Sequence, residues 1–358
     1  MVTTNYGVDT MIKIAQREIG QHTKPFIIAE MSGNHNQSLE RALQLVELAA
    51  EAGVDALKLQ TYTADTITLD LHTDEFFISN EASLWKGQSL HKLYQQAYTP
   101  WEWHEPIFKR AKELGLIAFS SPFDETAVDF LESLDIPAYK IASFENVDIP
   151  LIKKAARTGK PIIISTGMAS AAELDEAVEA VRSEGNDQII LLKCTSTYPA
   201  TPENSNLATI PHMQTLFNVE MGLSDHTMGV GVSVAAVTLG ATVIEKHFTN
   251  SRLEGGVDAA FSMEPHELKM LVEETERAWL AIGAVKYGPT EAELKSCNDR
   301  RSLYIGENMQ KGDIFTKENL RDVRPGLGLP TKYYELLLGK TIKQDAKKGT
   351  PVSWELLL

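Results

Sequence analysis

Two histidines each follow an apolar segment of the chain. The first segment, Val219–Leu223, continues into Ser-Asp-His226, and the second, Ala241–Ile244, continues into Glu-Lys-His247. The small residues of Gly229–Leu239 between them suit a crossover helix, so the pattern predicts two parallel strands with both histidines at one rim. Two adjacent imidazoles with open positions suit a divalent metal. The simpler interpretation is that each histidine is a hydrogen-bonded core or rim residue.

Two lysines interrupt apolar runs, Lys58 in ALKLQ and Lys140 in AYKIAS. A buried lysine needs a partner charge, which Glu30 or Glu145 can provide. The functional alternative is a bound phosphate or carboxylate, because ammonium and hydroxyl groups together suit a small phosphorylated anion. The polar residues at the predicted strand ends are Glu30, Lys58, Gln60, Ser120, Ser121, Lys140, Ser143, Glu145, Ser165, Thr166, Lys193, Thr195, Tyr198, Ser224, Asp225, His226, Lys246 and His247. As a set they favour an anionic ligand, and His35 in the first loop is a further candidate near the site.

The elements that position these residues alternate between apolar runs and helical patterns. Eight such strand–helix units begin at Lys24, and the runs are continuous, as in parallel strands covered on both faces. This pattern predicts a (β/α)8 TIM barrel, in which active sites lie at the carboxyl ends of the strands. A doubly wound open sheet is the alternative, but it rarely needs eight units, and no GxGxxG motif is present.

Three further features concern the organisation of the chain. The alternating stretch Ile12–Ile19 predicts a strand or hairpin that closes one end of the barrel. The insertion Thr63–Thr99 is too long for a plain connection and is therefore a candidate functional segment. Composition changes after Gly288-Pro289, which predicts a barrel domain at 1–285, a linker at 286–297 and a small domain of short strands and turns at 298–358.

Composition excludes several classes of partner. The 358-residue chain has a net charge of −15, which argues against nucleic acid or an anionic membrane. Its two cysteines, Cys194 and Cys297, imply no disulfide framework. The first residues do not form a secretion signal, and no segment is apolar enough to span a membrane. We therefore expect a cytoplasmic enzyme.

Several motifs resemble a known family. The segments IIAEMSGNHNQSLERAL, ALKLQTY, AYKIASFE, STGM, KCTSTYP, GLSDHT and EKHF are similar to the sialic acid synthase family along the whole barrel, and RPGLG and LLGK resemble that family's antifreeze-like (SAF) domain. Within the family, the chain looks most like the pseudaminic acid synthases. That likeness is carried by ASFE, KCTSTYP, the insertion LWKGQSLHKLYQQAYTPWEWH and the SLY that follows Arg300-Arg301.

The resemblance implies a reaction, a cofactor and an assembly. It implies that phosphoenolpyruvate condenses with a diacetamido-trideoxy hexose, the L-altrose isomer, to give pseudaminic acid and phosphate. It also implies a divalent cation, with Mn²⁺ expected ahead of Mg²⁺ or Co²⁺, and a homodimer in which each SAF domain covers the partner's barrel mouth.

Matching positions carry over the family's residue roles. His226 and His247 fall at the metal ligands, and Glu145 falls at the carboxylate near the reacting carbons. The phosphoenolpyruvate positions are Lys58, Ser121, Lys140, Ser143, Ser165, Ser224 and Ser196, the last being asparagine in the sialic acid synthases. The sugar positions are Glu30, Gln60, Tyr198 and Asp258, with Arg324 reaching the partner's sugar. Residues 298–300 are polar where the sialic acid synthases have phenylalanines, which argues against N-acetylmannosamine as substrate.

Three alternatives stay open at this point. The same chemistry can act on N-acetylmannosamine or on the legionaminic acid precursor. A Schiff-base aldolase would use Lys140, Lys193 or Lys246 as its nucleophile. A sugar-binding or ice-binding protein is suggested only by the small domain.

Overall fold

The computed structural model describes residues 11–79 and 85–357. These residues form two compact units, which separate between Gly283 and Ala284. The bounds predicted for the linker, 286–297, stay a prediction. Within the described ranges, no helix has both the length and the apolar character needed to cross a membrane.

The first unit contains a closed barrel of parallel strands. Each strand pairs with the next one along the chain, and the last pairs with the first. The strands are β1 (Phe26–Glu30), β2 (Ala56–Thr61), β3 (Ile117–Pro122), β4 (Tyr139–Ile141), β5 (Ile162–Ser165), β6 (Ile189–Cys194), β7 (Glu220–Asp225) and β8 (Val243–His247). The predicted (β/α)8 barrel is therefore confirmed.

Helices surround the barrel, one after each strand. They span Leu39–Ala52, His104–Glu113, Glu125–Ser133, Ile149–Ala156, Ala171–Ser183, Thr209–Phe217, Gly231–Thr238 and Pro265–Ile282. Several of these helices start at a residue whose side chain caps the helix. The Ser38 side chain, for example, accepts a hydrogen bond from the N–H of Arg41, and the same helix ends at Gly53 with a φ of +84°.

A short hairpin precedes the barrel, as the alternating stretch predicts. Ile12–Ile14 pairs antiparallel with Arg17–Ile19. Its alternate isoleucines, Ile12, Ile14 and Ile19, are buried in the barrel's apolar core. The apolar residues alternate in the sequence because one face of the hairpin packs against the core.

The insertion between β2 and its helix has secondary structure of its own. It contains the helices Ala64–Ile67 and Leu90–Ala97 and a 3-10 turn at Asp74–Phe76. The second helix packs closely against the loop after β1, because a Cβ at Gly33 would lie 3.1 Å from the carbonyl oxygen of Ala97. The insertion therefore borders the carboxyl end of the barrel.

The second unit has a separate apolar core. Ser302–Ile305 pairs antiparallel with Leu320–Val323, and a helical turn spans Tyr334–Leu337. Its core includes Leu303, Ile305, Phe315, Leu320 and Ile342. Short strands and turns were predicted for this part of the chain, and they are confirmed.

Candidate active site

Side chains alternate between the two faces of β7 and β8, so the polar residues at these strand ends form an inward-facing group and an outward-facing group. Lys246 lies 3.0 Å from Oδ2 of Asp225, and that oxygen also accepts a hydrogen bond from Ser233 on the helix outside the barrel. Because neighbouring residues of a strand point to opposite faces, Glu245 and His247 face the barrel interior instead. Asp225 and Lys246 are therefore structural, and the predicted strand-end set is not a single site.

The two predicted metal ligands lie side by side. Their ring centroids are 5.2 Å apart. Nδ1 of His226 lies 3.0 Å from the carbonyl oxygen of Thr195, so that nitrogen is the donor and Nε2 keeps a free lone pair. Nδ1 of His247 is buried without a hydrogen-bond partner, 3.8 Å from Oδ2 of Asp258. Burial and nearby positive charge hold the pKa of His247 well below its usual value, which keeps its imidazole neutral, as a ligand must be.

These imidazoles fit a divalent cation with open positions. In the part of the chain that the structure describes, no three side chains of His, Cys, Asp or Glu are grouped to hold a metal ion. The protein would thus supply two ligands, His226 and His247, and leave the remaining positions to substrate and water. The unpartnered Nδ1 of His247 and the free Nε2 of His226 are consistent with such a site.

Beside the imidazoles, two buried lysines share two buried carboxylates. Nζ of Lys58 lies 2.5 Å from Oε2 of Glu30 and 3.8 Å from Oε1 of Glu245. Nζ of Lys140 lies 3.8 Å from that same Glu245 oxygen and 2.7 Å from Oγ of Ser165, to which it donates. Of the two predicted partners, Glu30 lies beside Lys58, and Glu245, which was not predicted as a partner, lies beside both lysines.

The balance of charge in this cluster favours an added anion. Burial raises the pKa of Glu30 to about 7, although Lys58 opposes the shift. Glu245 keeps a pKa below its ordinary value, because Lys140 and Lys58 outweigh its burial. Lys58 and Lys140 therefore face one firmly ionised carboxylate, Glu245, and a second, Glu30, that is only partly ionised near neutral pH. Burial lowers the pKa of Lys140, so an added anion would compensate for the cost of its buried charge.

Hydroxyl groups surround the same lysines. Lys58 donates to Oγ of Ser121 at 3.2 Å, and Oγ of Ser224 lies 3.4 Å from Glu245. The side chains of Ser121, Ser165 and Ser224 are buried. Hydroxyls that reach a buried ammonium can also donate to a bound phosphate or carboxylate.

A glycine after β5 brings two more hydroxyls together. The N–H of Gly167 donates to Oγ of Ser143 at 3.2 Å. A Cβ at Gly167 would lie 2.1 Å from Oγ of Ser196 and 2.6 Å from Oγ of Ser143. Only glycine fits there, so the loops after β4, β5 and β6 form a hydroxyl-lined cradle. Sequence reasoning missed Gly167, although its place in STGM directly after β5 was a usable signal.

The predicted sugar-contacting residues adjoin both the lysine cluster and the imidazoles. Nε2 of Gln60 donates to Oε1 of Glu30 at 3.0 Å. Asp258, in the loop after β8, is buried and accepts a hydrogen bond from the hydroxyl of Ser32. The ring of Tyr198 lies 4.5 Å from that of His226. These residues come from β1, β2 and the loops after β6 and β8.

Glu145 is the carboxyl group best suited to accept a proton. Burial raises its pKa to about 7, although Lys140 opposes the shift. Its Oε2 is shielded from solvent and has no hydrogen-bond partner. A carboxylate in this state is a competent general base near neutral pH.

Three other residues, His35, Cys194 and Arg324, have different surroundings. His35 was predicted near the site, but its Nε2 lies 3.1 Å from Oγ1 of Thr99 and its Nδ1 accepts the N–H of Gln37, so both nitrogens order a loop. Cys194, which sequence reasoning did not select, lies 3.9 Å from Nδ1 of His226 through its Sγ. Arg324 follows the strand Leu320–Val323 of the second unit.

Comparisons with known proteins agree with this arrangement. The NeuB family model matches residues 45–287, and the SAF domain model matches residues 300–358. The pseudaminic acid synthase of Campylobacter jejuni is 44% identical over 91% of this chain and 94% of its own length. The pseudaminic acid synthase of Helicobacter pylori is 44% identical over 92% of this chain and 96% of its own length.

A solved structure shares both the fold and the extent of the chain. The spore coat polysaccharide biosynthesis protein spsE of Bacillus subtilis is 33% identical and superposes with a TM-score of 0.67, covering 98% of this chain and 99% of that protein. A family model that spans most of the barrel, relatives at this identity and a barrel with this strand-end chemistry lead to one conclusion. The chain belongs to the NeuB family and carries a C-terminal SAF domain.

Proposed function

We propose that the chain is a pseudaminic acid synthase. It is a transferase that condenses phosphoenolpyruvate with 2,4-diacetamido-2,4,6-trideoxy-β-L-altropyranose to give pseudaminic acid and phosphate. The observation that carries the proposal is the buried cluster of Lys58, Lys140 and hydroxyls beside the paired imidazoles of His226 and His247. The two relatives of that name, at 44% identity, support the choice of sugar.

The reaction joins C3 of phosphoenolpyruvate to the aldehyde carbon of the open-chain sugar. Water then adds to C2, and phosphate leaves as its C–O bond breaks. Lys58 and Lys140 hold the anionic groups of phosphoenolpyruvate, together with the hydroxyls of Ser121, Ser143, Ser165, Ser196 and Ser224. Glu145 takes the proton of the water that adds to C2, with Glu30 as the second candidate. A divalent cation on the two imidazoles supplies Lewis-acid polarisation of the aldehyde carbonyl.

The cation in our proposal is Mn²⁺, with Mg²⁺ and Co²⁺ as alternatives. The paired imidazoles support it, since neutral histidine suits first-row divalent metals. We expect His226→Ala to abolish turnover and weaken Mn²⁺ binding at least tenfold, by titration calorimetry, with little change in melting temperature. His212→Ala, an exposed histidine outside the site, is the control. Full activity of the metal-stripped His226→Ala protein would contradict the metal role.

The active unit in our proposal is a homodimer in the cytoplasm. Each SAF domain covers the partner's barrel mouth and brings Arg324 to the sugar there. The SAF match at residues 300–358 supports this assembly, because the chain's arginine in RPG lies within it.

Phosphate release tests the substrate assignment. The protein is incubated with phosphoenolpyruvate, Mn²⁺ and the diacetamido L-altrose sugar, beside N-acetylmannosamine and the diacetamido sugar that leads to legionaminic acid. Release with the altrose sugar is the expected result. Release with another sugar alone would keep the chemistry and overturn the substrate.

A Schiff-base aldolase would form an imine with the sugar that borohydride traps as a covalent adduct on a lysine. Lys246 is already paired with Asp225, while Lys140 donates to Ser165. We expect borohydride with sugar to trap no covalent adduct, and a chelator to stop turnover. A trapped adduct on Lys140 or Lys193 would support the aldolase instead. Sugar binding without phosphate release would support a binding protein.

A further inference from the structure

A cavity of about 550 Å³ lies among three loops at the carboxyl end of the barrel. Asn36 and Gln37 come from the loop after β1, and Trp85, Gln88 and Gln96 come from the insertion after β2. Gly256, Val257 and Ala260 come from the loop after β8. The reaction described above does not use this cavity.

The cavity adjoins the sugar side of the candidate active site. The strands whose loops form it also carry Glu30 and Gln60, and Asp258 lies between its lining residues Val257 and Ala260. The ring of Trp85 lies 6.1 Å from that of Tyr198, which is 4.5 Å from that of His226. Nε1 of Trp85 donates to the carbonyl of Val257 at 3.0 Å, which joins the insertion to this loop. Lys58 also lies on β2, whereas Lys140 lies on β4 and the hydroxyl cradle comes from the loops after β4, β5 and β6.

Among the residues that the structure describes, the polar part of the lining consists of carboxamides, with no charged side chain. Nδ2 of Asn36 donates to the carbonyl of Gly255, and Nε2 of Gln37 donates to the carbonyls of Gln96 and Tyr98. Because these NH₂ groups are bound to the main chain, the amide oxygens remain as acceptors. Oε1 of Gln88 is shielded from water and has no hydrogen-bond partner within the described ranges 11–79 and 85–357. The lining therefore calls for a ligand that donates hydrogen bonds.

The rest of the lining is apolar. Trp85, Leu93, Val257 and Ala260 contribute indole and aliphatic surface. A phosphate or carboxylate would meet acceptor oxygens and no cation, and a hydroxyl would leave the apolar surface uncovered. A secondary amide with a methyl group satisfies both. Its N–H donates to an amide oxygen, its carbonyl can accept from a carboxamide NH₂ group such as that of Gln96, and its methyl is apolar.

We propose that this cavity binds the acetamido group at C4 of the sugar, an assignment that rests on the proposed function. C4 is three bonds from the aldehyde carbon, whereas the C2 acetamido group is attached directly beside it. The group that reaches past Tyr198 to Trp85 is therefore the C4 substituent. This contact selects the diacetamido sugar over sugars that carry a hydroxyl at C4.

The test pairs two variants with two sugars. Gln88→Leu and Gln96→Leu remove carboxamides from the lining. Gln95→Leu is the matched control. Gln95 is exposed on the helix Leu90–Ala97, which also carries Gln96, and it is not part of the lining. The sugars are the diacetamido L-altrose substrate and its 2-acetamido-2,6-dideoxy analogue with a hydroxyl at C4.

We expect Gln88→Leu to lower kcat/KM for the diacetamido sugar about tenfold, which corresponds to the loss of one neutral hydrogen bond. Gln96→Leu should lower it by a smaller factor. The analogue's kcat/KM, the KM for phosphoenolpyruvate and the melting temperature should not change, and Gln95→Leu should match the wild type. A merely structural defect would affect both sugars and phosphoenolpyruvate alike.

Two results would overturn the inference, and they differ. If the wild type turns over the diacetamido sugar but both lining variants keep the wild-type ratio between the two sugars, the cavity does not bind the C4 group. If the wild type releases no phosphate with the diacetamido sugar but does so with N-acetylmannosamine, the proposed function fails, and the cavity assignment fails with it.

Discussion

At the scale of single residues, Glu145, the proposed general base, lies in an environment that disfavours its charged form. Its carboxyl group has a pKa of about 7 because burial outweighs the attraction of Lys140. A carboxylate with this pKa is half ionised at neutral pH and still basic enough to take a proton from water. The same burial penalises the charged form in the free protein.

The first prediction concerns the pH dependence of turnover. As a general base, Glu145 must be ionised, so kcat/KM should fall as the pH drops below about 7. Glu145→Gln should lower kcat by about 10²- to 10⁴-fold, the usual range for a lost general base. Steady-state phosphate release between pH 5 and pH 9 measures both, and wild-type kcat/KM that stays level down to pH 5 would contradict the role.

The second prediction concerns stability. The folded state binds the Glu145 proton more tightly than the unfolded chain, whose ordinary pKa is 4.5, so stability is lost as the pH rises from 4.5 to about 7. At pH 8, Glu145→Gln should therefore raise the free energy of unfolding by about 1 to 3 kcal/mol. Glu125→Gln, at an exposed helix start, is the control. Urea denaturation that shows a loss of stability in Glu145→Gln would refute the prediction.

At the scale of the elements, three successive loops converge where Gly167 has no side chain. The loops after β4, β5 and β6 bring Ser143 and Ser196 within reach of one anion only because Gly167 leaves room. Each loop follows a buried parallel strand, whose register with its neighbours is set by the barrel. The precision of the cradle is thus a property of three strands together.

The third prediction follows from that contact. Gly167→Ala should push Ser143 and Ser196 apart, since its methyl group would lie within 3 Å of both hydroxyls. We expect the KM for phosphoenolpyruvate to rise about 10- to 100-fold, with the KM for the sugar nearly unchanged, as two charge-assisted contacts weaken. Gly231→Ala is the matched control, because Gly231, like Gly167, has no positive φ and a Cβ there meets nothing within 4 Å. An unaltered KM for phosphoenolpyruvate would exclude the cradle.

The insertion after β2 shows what an element adds to a barrel. Its length in the sequence indicated a functional segment, and Trp85 does lie against Tyr198 and the loop after β8. Which residues of the insertion reach the site could not be predicted, because contacts such as that between Trp85 and Tyr198 join segments far apart in the sequence. Loops of this kind vary substrate choice while the strands keep the chemistry.

At the scale of the whole molecule, the question is which chain completes each site. The proposed dimer places Arg324 at the partner's sugar, so each active site would contain residues of two chains. A symmetric pair of such contacts is what a two-fold dimer provides.

The fourth prediction tests whether Arg324 acts on the sugar of its own chain or on that of the partner chain. A mixed dimer of one Arg324→Ala chain and one Lys140→Met chain, purified through two tags, should have about half of the wild-type activity, because one site is intact when Arg324 acts across the dimer. A mixed dimer of wild type with the double variant should then be inactive. If each chain uses its own Arg324, the first mixed dimer should be inactive and the mixed dimer with the double variant should have about half of the wild-type activity.

Much of this architecture could be predicted from local sequence patterns. Eight apolar runs of strand length, each followed by a helix, allow few arrangements other than a closed parallel barrel. The carboxyl ends of those strands then had to meet at one rim, which predicted the pairing of His226 with His247 and the place of Lys58 and Lys140. Short-range periodicity and the geometry of parallel strands are sufficient for these conclusions.

Other features depend on contacts between distant segments, which no local pattern encodes. Only the folded chain shows that Glu245 lies between Lys58 and Lys140 and that His35 bonds to Thr99. The same is true of the carboxamide-lined cavity, whose three loops are far apart in the sequence. Residue type and spacing determine which groups reach the barrel mouth, whereas side-chain packing and desolvation in three dimensions decide which of them meet and which carry charge.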